Sequence, residues 1–113
     1  MELNRELRGS APVFAALGDE TRLRLMLRLA RGEPLSITRL AEGTSLTRQA
    51  ITKHLRVLEA AELARSSRQG RQQMWQMNRS QLDHARRCLD RIGRQWERAL
   101  DRLKMAVEGG RNP

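Results

Sequence analysis

Aromatic residues are nearly missing from this chain of 113 residues, which has no Tyr, one Phe and two Trp. Any core must therefore be aliphatic, assembled from Leu, Ala, Ile, Val and Met. Cysteine is reduced to Cys88, so an internal disulfide and a cysteine cluster for zinc are both excluded. No segment approaches the roughly 18 uninterrupted apolar residues of a spanning helix. The opening MELNRELRGS is charged rather than a secretory leader, and the expected location is the cytoplasm. Glycine-rich phosphate loops are absent, since Gly43 and Gly70 stand alone. There is also no G-x-S-x-G, no H-E-x-x-H and no Cys paired with a His, so neither an enzyme nor a cofactor is expected.

Basic charge is abundant. Lys and Arg number 22 against 13 Asp and Glu, a net charge of +9. Such a surface suits polyanions, with nucleic acid first and an anionic membrane surface second. The length fits one domain. Leu, Ala, Arg, Glu and Gln dominate and β-branched residues are sparse outside the middle third, which favours helix. The expected class is mainly α.

Residues 1–10 are polar and close on Gly9-Ser10, so they are expected as a flexible arm. Pro12 suits the first turn of a short apolar helix, Val13 to Leu17, that Gly18 ends. Asp19 then caps a second helix, Glu20 to Ala30, with Leu23, Met26, Leu27 and Ala30 on one side and Leu25 and Leu29 widening the stripe. Its arginines read as a solvated face. Ser36 caps a third helix with Ile37, Leu40 and Ala41 as its core, and Gly43 to Leu46 make a turn. Thr47 caps a longer basic helix to about Ala61.

That basic helix sets Ile51, Leu55 and Leu58 on one face and Arg48, Gln49, Thr52, Lys53 and Arg56 on the other. An apolar stripe backed by long cationic and amide side chains is what a helix reading the major groove requires. Leu63 to Ser67 and Gln72 to Met77 read as two strands around Arg68-Gln69-Gly70-Arg71, a hairpin carrying Arg65, Arg68 and Arg71 as a wing. The last helix opens at Ser80, with Asp83 as an S-x-x-D capping box. Along it Leu82, Ala85, Leu89, Ile92, Trp96, Ala99, Leu103 and Ala106 recur at alternating spacings of three and four. Over roughly 27 residues, or about 40 Å, this stripe outruns the interior of so small a domain. Either a second copy covers it around a two-fold axis, or the helix wraps its own domain. Residues 108–113, with Gly109-Gly110, are expected to be a disordered tail, leaving 11–107 as the folded domain.

Helix order, the LTRQAITKHLRVLEAAELA segment, the basic hairpin and the long last helix together resemble the ArsR-type winged-helix repressors. GDETRLRLMLRL resembles that family's xDxTRLRIL helix, and TKHLRVLEAAEL its S-x-HLxxLxxAGL signature, with Thr52 in the Ser position. The resemblance covers about residues 11–107. It implies a winged helix-turn-helix with a two-stranded wing, and a homodimer formed by the first and last helices. The interface would use Val13, Phe14, Leu17, Leu82, Ala85, Leu89, Ile92, Trp96 and Leu103. It further implies a double-stranded operator contacted through Thr47, Arg48, Gln49, Thr52, Lys53, His54 and Arg56, with Arg68 and Arg71 from the wing. The implied role is repression of its own operon at an inverted repeat, released by an effector of unidentified chemistry.

Two departures stand out. Glu62 occupies the place of the usual Gly after the reading helix. Metal-sensing members carry ligands that this chain lacks: the third helix has no Cys or His, and Asp83 and His84 are adjacent and so project apart. No metal is expected, and the last helix is closer to the non-metal-sensing subgroup.

Among the cationic residues, Arg48 and Lys53 are long enough for guanine, Gln49 suits adenine, and Thr52 suits a base or a thymine methyl. Arg56, Arg68 and Arg71 fit phosphate or minor-groove contacts. Any one of these arginines could equally be a solvated surface residue. His54 either bonds a phosphate or bridges to the neighbouring helix. Cys88 is either a small buried apolar group or a thiol switch, and Trp96 is either dimer core or the edge of an effector pocket. The alternatives to a specific regulator are a nonspecific basic DNA-binding protein and a protein-interaction module built on the long helix.

Overall fold

The computed structural model describes residues 2–109. The chain runs α1 (Glu2–Leu17), α2 (Glu20–Leu29), β1 (Leu35–Ser36), α3 (Ile37–Ala41), α4 (Arg48–Ala60), β2 (Ala64–Gln69), β3 (Gln72–Met77) and α5 (Arg79–Gly109). The fold is mainly helical, as expected.

Two expectations at the ends change. Residues 2–10 are not an arm but the first turns of α1, which continues through Pro12. Pro12 therefore sits inside the helix, where it lacks the N–H for one backbone bond. Packing holds the helix together: Val13 and Ala16 are buried, and Glu6 pairs with Arg91 across the α1–α5 contact. At the other end Glu108 and Gly109 belong to α5. The rest of the expected tail lies outside the described residues.

The core is aliphatic around one aromatic. Leu29, Leu40, Ile51, Leu55, Leu58, Leu63 and Trp75 have no measurable exposure, and each buried side chain of this size contributes roughly 1.5–3 kcal/mol. On α2 the buried side differs from the expected stripe. Leu25, Met26 and Leu29 face inward, while Leu23 and Leu27 are exposed. The four leucines and Met26 surround the helix, so periodicity alone left its inward side undetermined.

The wing is the expected two-stranded hairpin of β2 and β3, and its sheet gains a third strand. The short β1 pairs antiparallel with β3, giving a three-stranded sheet in the order β1-β3-β2, with Leu35 opposite Trp75 and Ala64 opposite Met77. β1 immediately precedes α3 and anchors the helix-turn-helix to the sheet. Arg68 and Gln69 lie in β2, so the turn reduces to Gly70-Arg71, with Gly70 at φ +65°.

Two helix ends are also capped by residues other than those expected. The α5 start is not a Ser80–Asp83 box: the Asn78 carbonyl accepts from the Leu82 amide, and the Ser80 hydroxyl donates to Asn78 Oδ1. At the α4 end, Glu62 adopts the left-handed φ of +61°. The Leu63 amide bonds the Leu58 carbonyl at 2.9 Å and the Glu62 amide bonds that of Glu59 at 2.9 Å. This is a Schellman motif with glutamate in the glycine position. The Asn78 side-chain amide donates to the Glu62 carbonyl at 2.7 Å, tying this strained corner to the start of α5.

Candidate nucleic-acid interface

The helix-turn-helix is fixed by short local bonds before any DNA is considered. Ser36 Oγ accepts from the Arg39 amide at 3.2 Å and caps α3. The Thr44 hydroxyl donates to the Ala41 carbonyl at 2.8 Å and holds the turn. Thr47 Oγ1 accepts from the Ala50 amide at 3.0 Å and caps α4. The whole turn is braced from α2. The Arg28 guanidinium donates to the carbonyls of Leu40 at 2.8 Å and Glu42 at 2.6 Å. In the sequence Arg28 reads as part of a solvated face. Only the approach of α3, which no local pattern announces, gives it a structural task.

Buried Ile51, Leu55 and Leu58 orient α4, which leaves Arg48, Gln49 and Lys53 exposed on the opposite side. The side chains of these three make no hydrogen bond or ion pair with the described residues. They are long and uncommitted, and they lie in the first turns of α4, where the helix dipole favours anions. Thr47 and Thr52 are already engaged. The first is the cap, and the second is half-buried and donates to the Arg48 carbonyl at 2.9 Å. At the wing, Arg65, Arg68 and Arg71 are exposed, with Arg71 in the turn itself.

Two of the expected contact residues point elsewhere. His54 faces α2, with Nδ1 3.5 Å from the Arg22 guanidinium and 3.8 Å from Asp19 Oδ2. Of the two roles open to it, bridging to the neighbouring helix is the one its position serves. Arg56 lies over the ring of Trp75, 5.1 Å from its centroid, and donates to Glu59 Oε1 at 2.8 Å. Glu59 in turn accepts from the Ser66 hydroxyl of β2 at 3.1 Å. Arg56 is thus a clamp between the reading helix and the wing. Trp75 and Ser66 are distant along the chain, so nothing local in the sequence announces this contact.

The residues expected at a dimer interface divide into two groups. Val13 and Ala85 are buried within the protomer, and Phe14, Leu17 and Leu82 are half-covered against its core. Leu89, Ile92, Trp96 and Leu103 are exposed, joined by Leu100 and Val107. Cys88 is buried beside this stripe. Among the described residues, no three His, Cys, Asp or Glu side chains converge to hold a metal ion, and no helix is long and apolar enough to cross a membrane.

A capped helix-turn-helix with a basic outer face, followed by an arginine-tipped wing, defines a winged-helix DNA-binding regulator. Comparison with known proteins agrees. Residues 17–67 match the family model described as a helix-turn-helix domain. The chain is 38% identical over 87 residues to the HTH-type transcriptional regulator Rv2034 of Mycobacterium tuberculosis, covering 77% of this chain and 78% of that protein. An ArsR-like transcriptional regulator from Rhodococcus sp. RHA1 superposes with a TM-score of 0.76 at 38% identity, over 94% of this chain and 96% of that one. The homodimeric winged helix-turn-helix domain of Mb0332 from Mycobacterium bovis shares the fold, with a TM-score of 0.61 at 23% identity over 85% of each chain. The chain belongs to the ArsR-like HTH-type transcriptional regulators.

Proposed function

We propose that this regulator is a cytoplasmic homodimeric repressor that reads an inverted repeat in its own operon. The observation that carries this reading is the uncommitted outer face of α4. Arg48, Gln49 and Lys53 are exposed over a rigidly buried inner face and have no partner among the described residues. These side chains supply base readout, at about 1–3 kcal/mol for each good bidentate contact. Arg68 and Arg71 supply affinity and salt dependence through phosphates. The exposed stripe from Leu89 to Leu103 is the surface on which a second copy docks, bringing two α4 helices to successive major grooves roughly 34–36 Å apart. Any effector acts by changing that spacing, so it acts through α1 and α5.

Binding-site selection on random duplex, followed by footprinting on the promoter upstream of this gene, tests the proposal. A palindromic site at that promoter, with a large specificity ratio over random DNA, is the expected result. Equal affinity for promoter and random duplex at every salt concentration would instead make the protein a nonspecific DNA-binding module. Arg48→Ala relaxes preference at one base pair per half-site, whereas Arg71→Ala weakens all duplexes alike.

A further inference from the structure

The GDETR segment at the start of α2 joins three elements at one point. Arg22 Nε donates to the Ala16 carbonyl at 2.6 Å, at the C-terminal end of α1, where carbonyls lack helical partners and the dipole favours a cation. The same guanidinium reaches His54 on α4, its NH1 lying 3.5 Å from Nδ1. Asp19 closes the triangle. Its Oδ2 accepts from the Arg22 amide at 3.0 Å and lies 3.8 Å from the same imidazole nitrogen. Helix α1 is bound in turn to α5 through Glu6–Arg91 and the buried Val13 and Ala85. One arginine therefore spans from the helix pair that carries the exposed stripe to the helix that carries Arg48, Gln49 and Lys53.

We infer that Arg22, acting with Asp19 and His54, is a positioning residue for DNA recognition: it locks the reading helix to the α1–α5 frame and so sets which half-site separation the dimer accepts. The inference rests on the reading of a dimer on a two-fold site. Hydrogen-bonded chains of side chains can carry coupling between two elements, and the Ala16–Arg22–His54 chain is one. His54 packs against α2 rather than DNA, so loss of the link leaves each α4 free to recognise its own half-site. What is lost is the fixed distance between the two helices.

The test uses the full-length protein and the palindrome that wild type selects, with spacers one base pair shorter, one longer and two longer, plus a single half-site duplex. Each inserted pair moves a half-site by about 3.4 Å and rotates it by about one-tenth of a turn. Wild type is expected to lose at least ~10-fold in affinity per inserted pair, within the usual span of coupling energies. Arg22→Gln should flatten this to under ~3-fold while keeping its half-site base preference and its dimerisation by sedimentation. Arg22→Lys, which can make one of the two bonds, should fall between them. His54→Leu keeps the Ala16 bond and the α2 cap, and it serves where Arg22→Gln does not fold; it too should flatten the dependence. Wild-type steepness in the folded variants overturns the inference alone. A wild type that binds all spacings and the lone half-site equally overturns the dimeric reading and the inference with it.

Discussion

The two tryptophans mark two regions that follow different rules. Trp75, in the central strand of the sheet, is fully buried, with Leu35 and Ser66 opposite it in register and the Arg56 guanidinium over its ring. Trp96, halfway along α5, is 64% exposed, and from Leu89 to Gly109 no residue is buried. The radius of gyration is 19.6 Å, against roughly 13 Å for a compact chain of this length. The excess comes from α5, which extends well beyond its contact with α1. The head is thus complete in one copy, whereas the distal half of α5 presents an apolar face that no other described residue covers. A large aromatic side chain specifies a fold in the first setting and an association in the second.

The head is most sensitive at Trp75. Trp75→Ala removes the largest core side chain and should cost about 3–5 kcal/mol in chemical denaturation. Trp75→Phe should cost less, because the buried indole N–H has no hydrogen-bond partner among the described residues to lose. A small effect of Trp75→Ala would mean that the sheet is not integral to the head. At Trp96 the expectation inverts. Trp96→Ala should leave unfolding of dilute protein nearly unchanged but weaken self-association by about 2 kcal/mol, or roughly 30-fold, in sedimentation. An unchanged association constant would assign the exposed stripe to some other occupant.

Legibility in the sequence followed the same divide. Elements whose signals are local were readable: the Asp19, Ser36 and Thr47 caps, the Ile51-Leu55-Leu58 face and the glycine of the wing turn all sit where residue chemistry put them. Misread features depended on distant partners. The tasks of Arg28 and Arg56 within the fold were hidden because nothing near them in sequence announces the α3 carbonyls or the Trp75 ring. β1 is two residues long and exists only because β3 passes beside it. Gly9 and Pro12 are weak helix formers, and α1 extends over them because α5 supplies the packing.

Smaller effects sharpen the picture within the head. Arg56→Gln removes a cation–π contact and a half-exposed ion pair, so a loss of about 1–2 kcal/mol in stability is expected, with base preference unchanged in site selection. A uniform loss of affinity for all duplexes in the folded variant would return Arg56 to the phosphate contacts. Glu62→Gly relieves a left-handed backbone at a side chain that is itself exposed. It should raise stability by about 1 kcal/mol. A loss instead would show that the Asn78 bond to this corner depends on the glutamate.

The smallest expected effect is electrostatic and lies at the α1–α2 corner. The Arg22 amide, donating to Asp19, holds that carboxyl below its ordinary value of 3.8, and the charges of Arg22 and His54 act in the same direction. A depressed folded-state pKa means the carboxylate contributes stability that is fully present above the unfolded pKa. That contribution is lost as the pH falls through the folded one. Asn caps a helix about as well as Asp, so Asp19→Asn preserves the cap and deletes only the charge. The stability difference between wild type and Asp19→Asn should therefore shrink steadily with acidification below about pH 5. A difference independent of pH would mean that the cap geometry, rather than the charge facing Arg22 and His54, is what Asp19 contributes to the junction between the dimer frame and the reading helix.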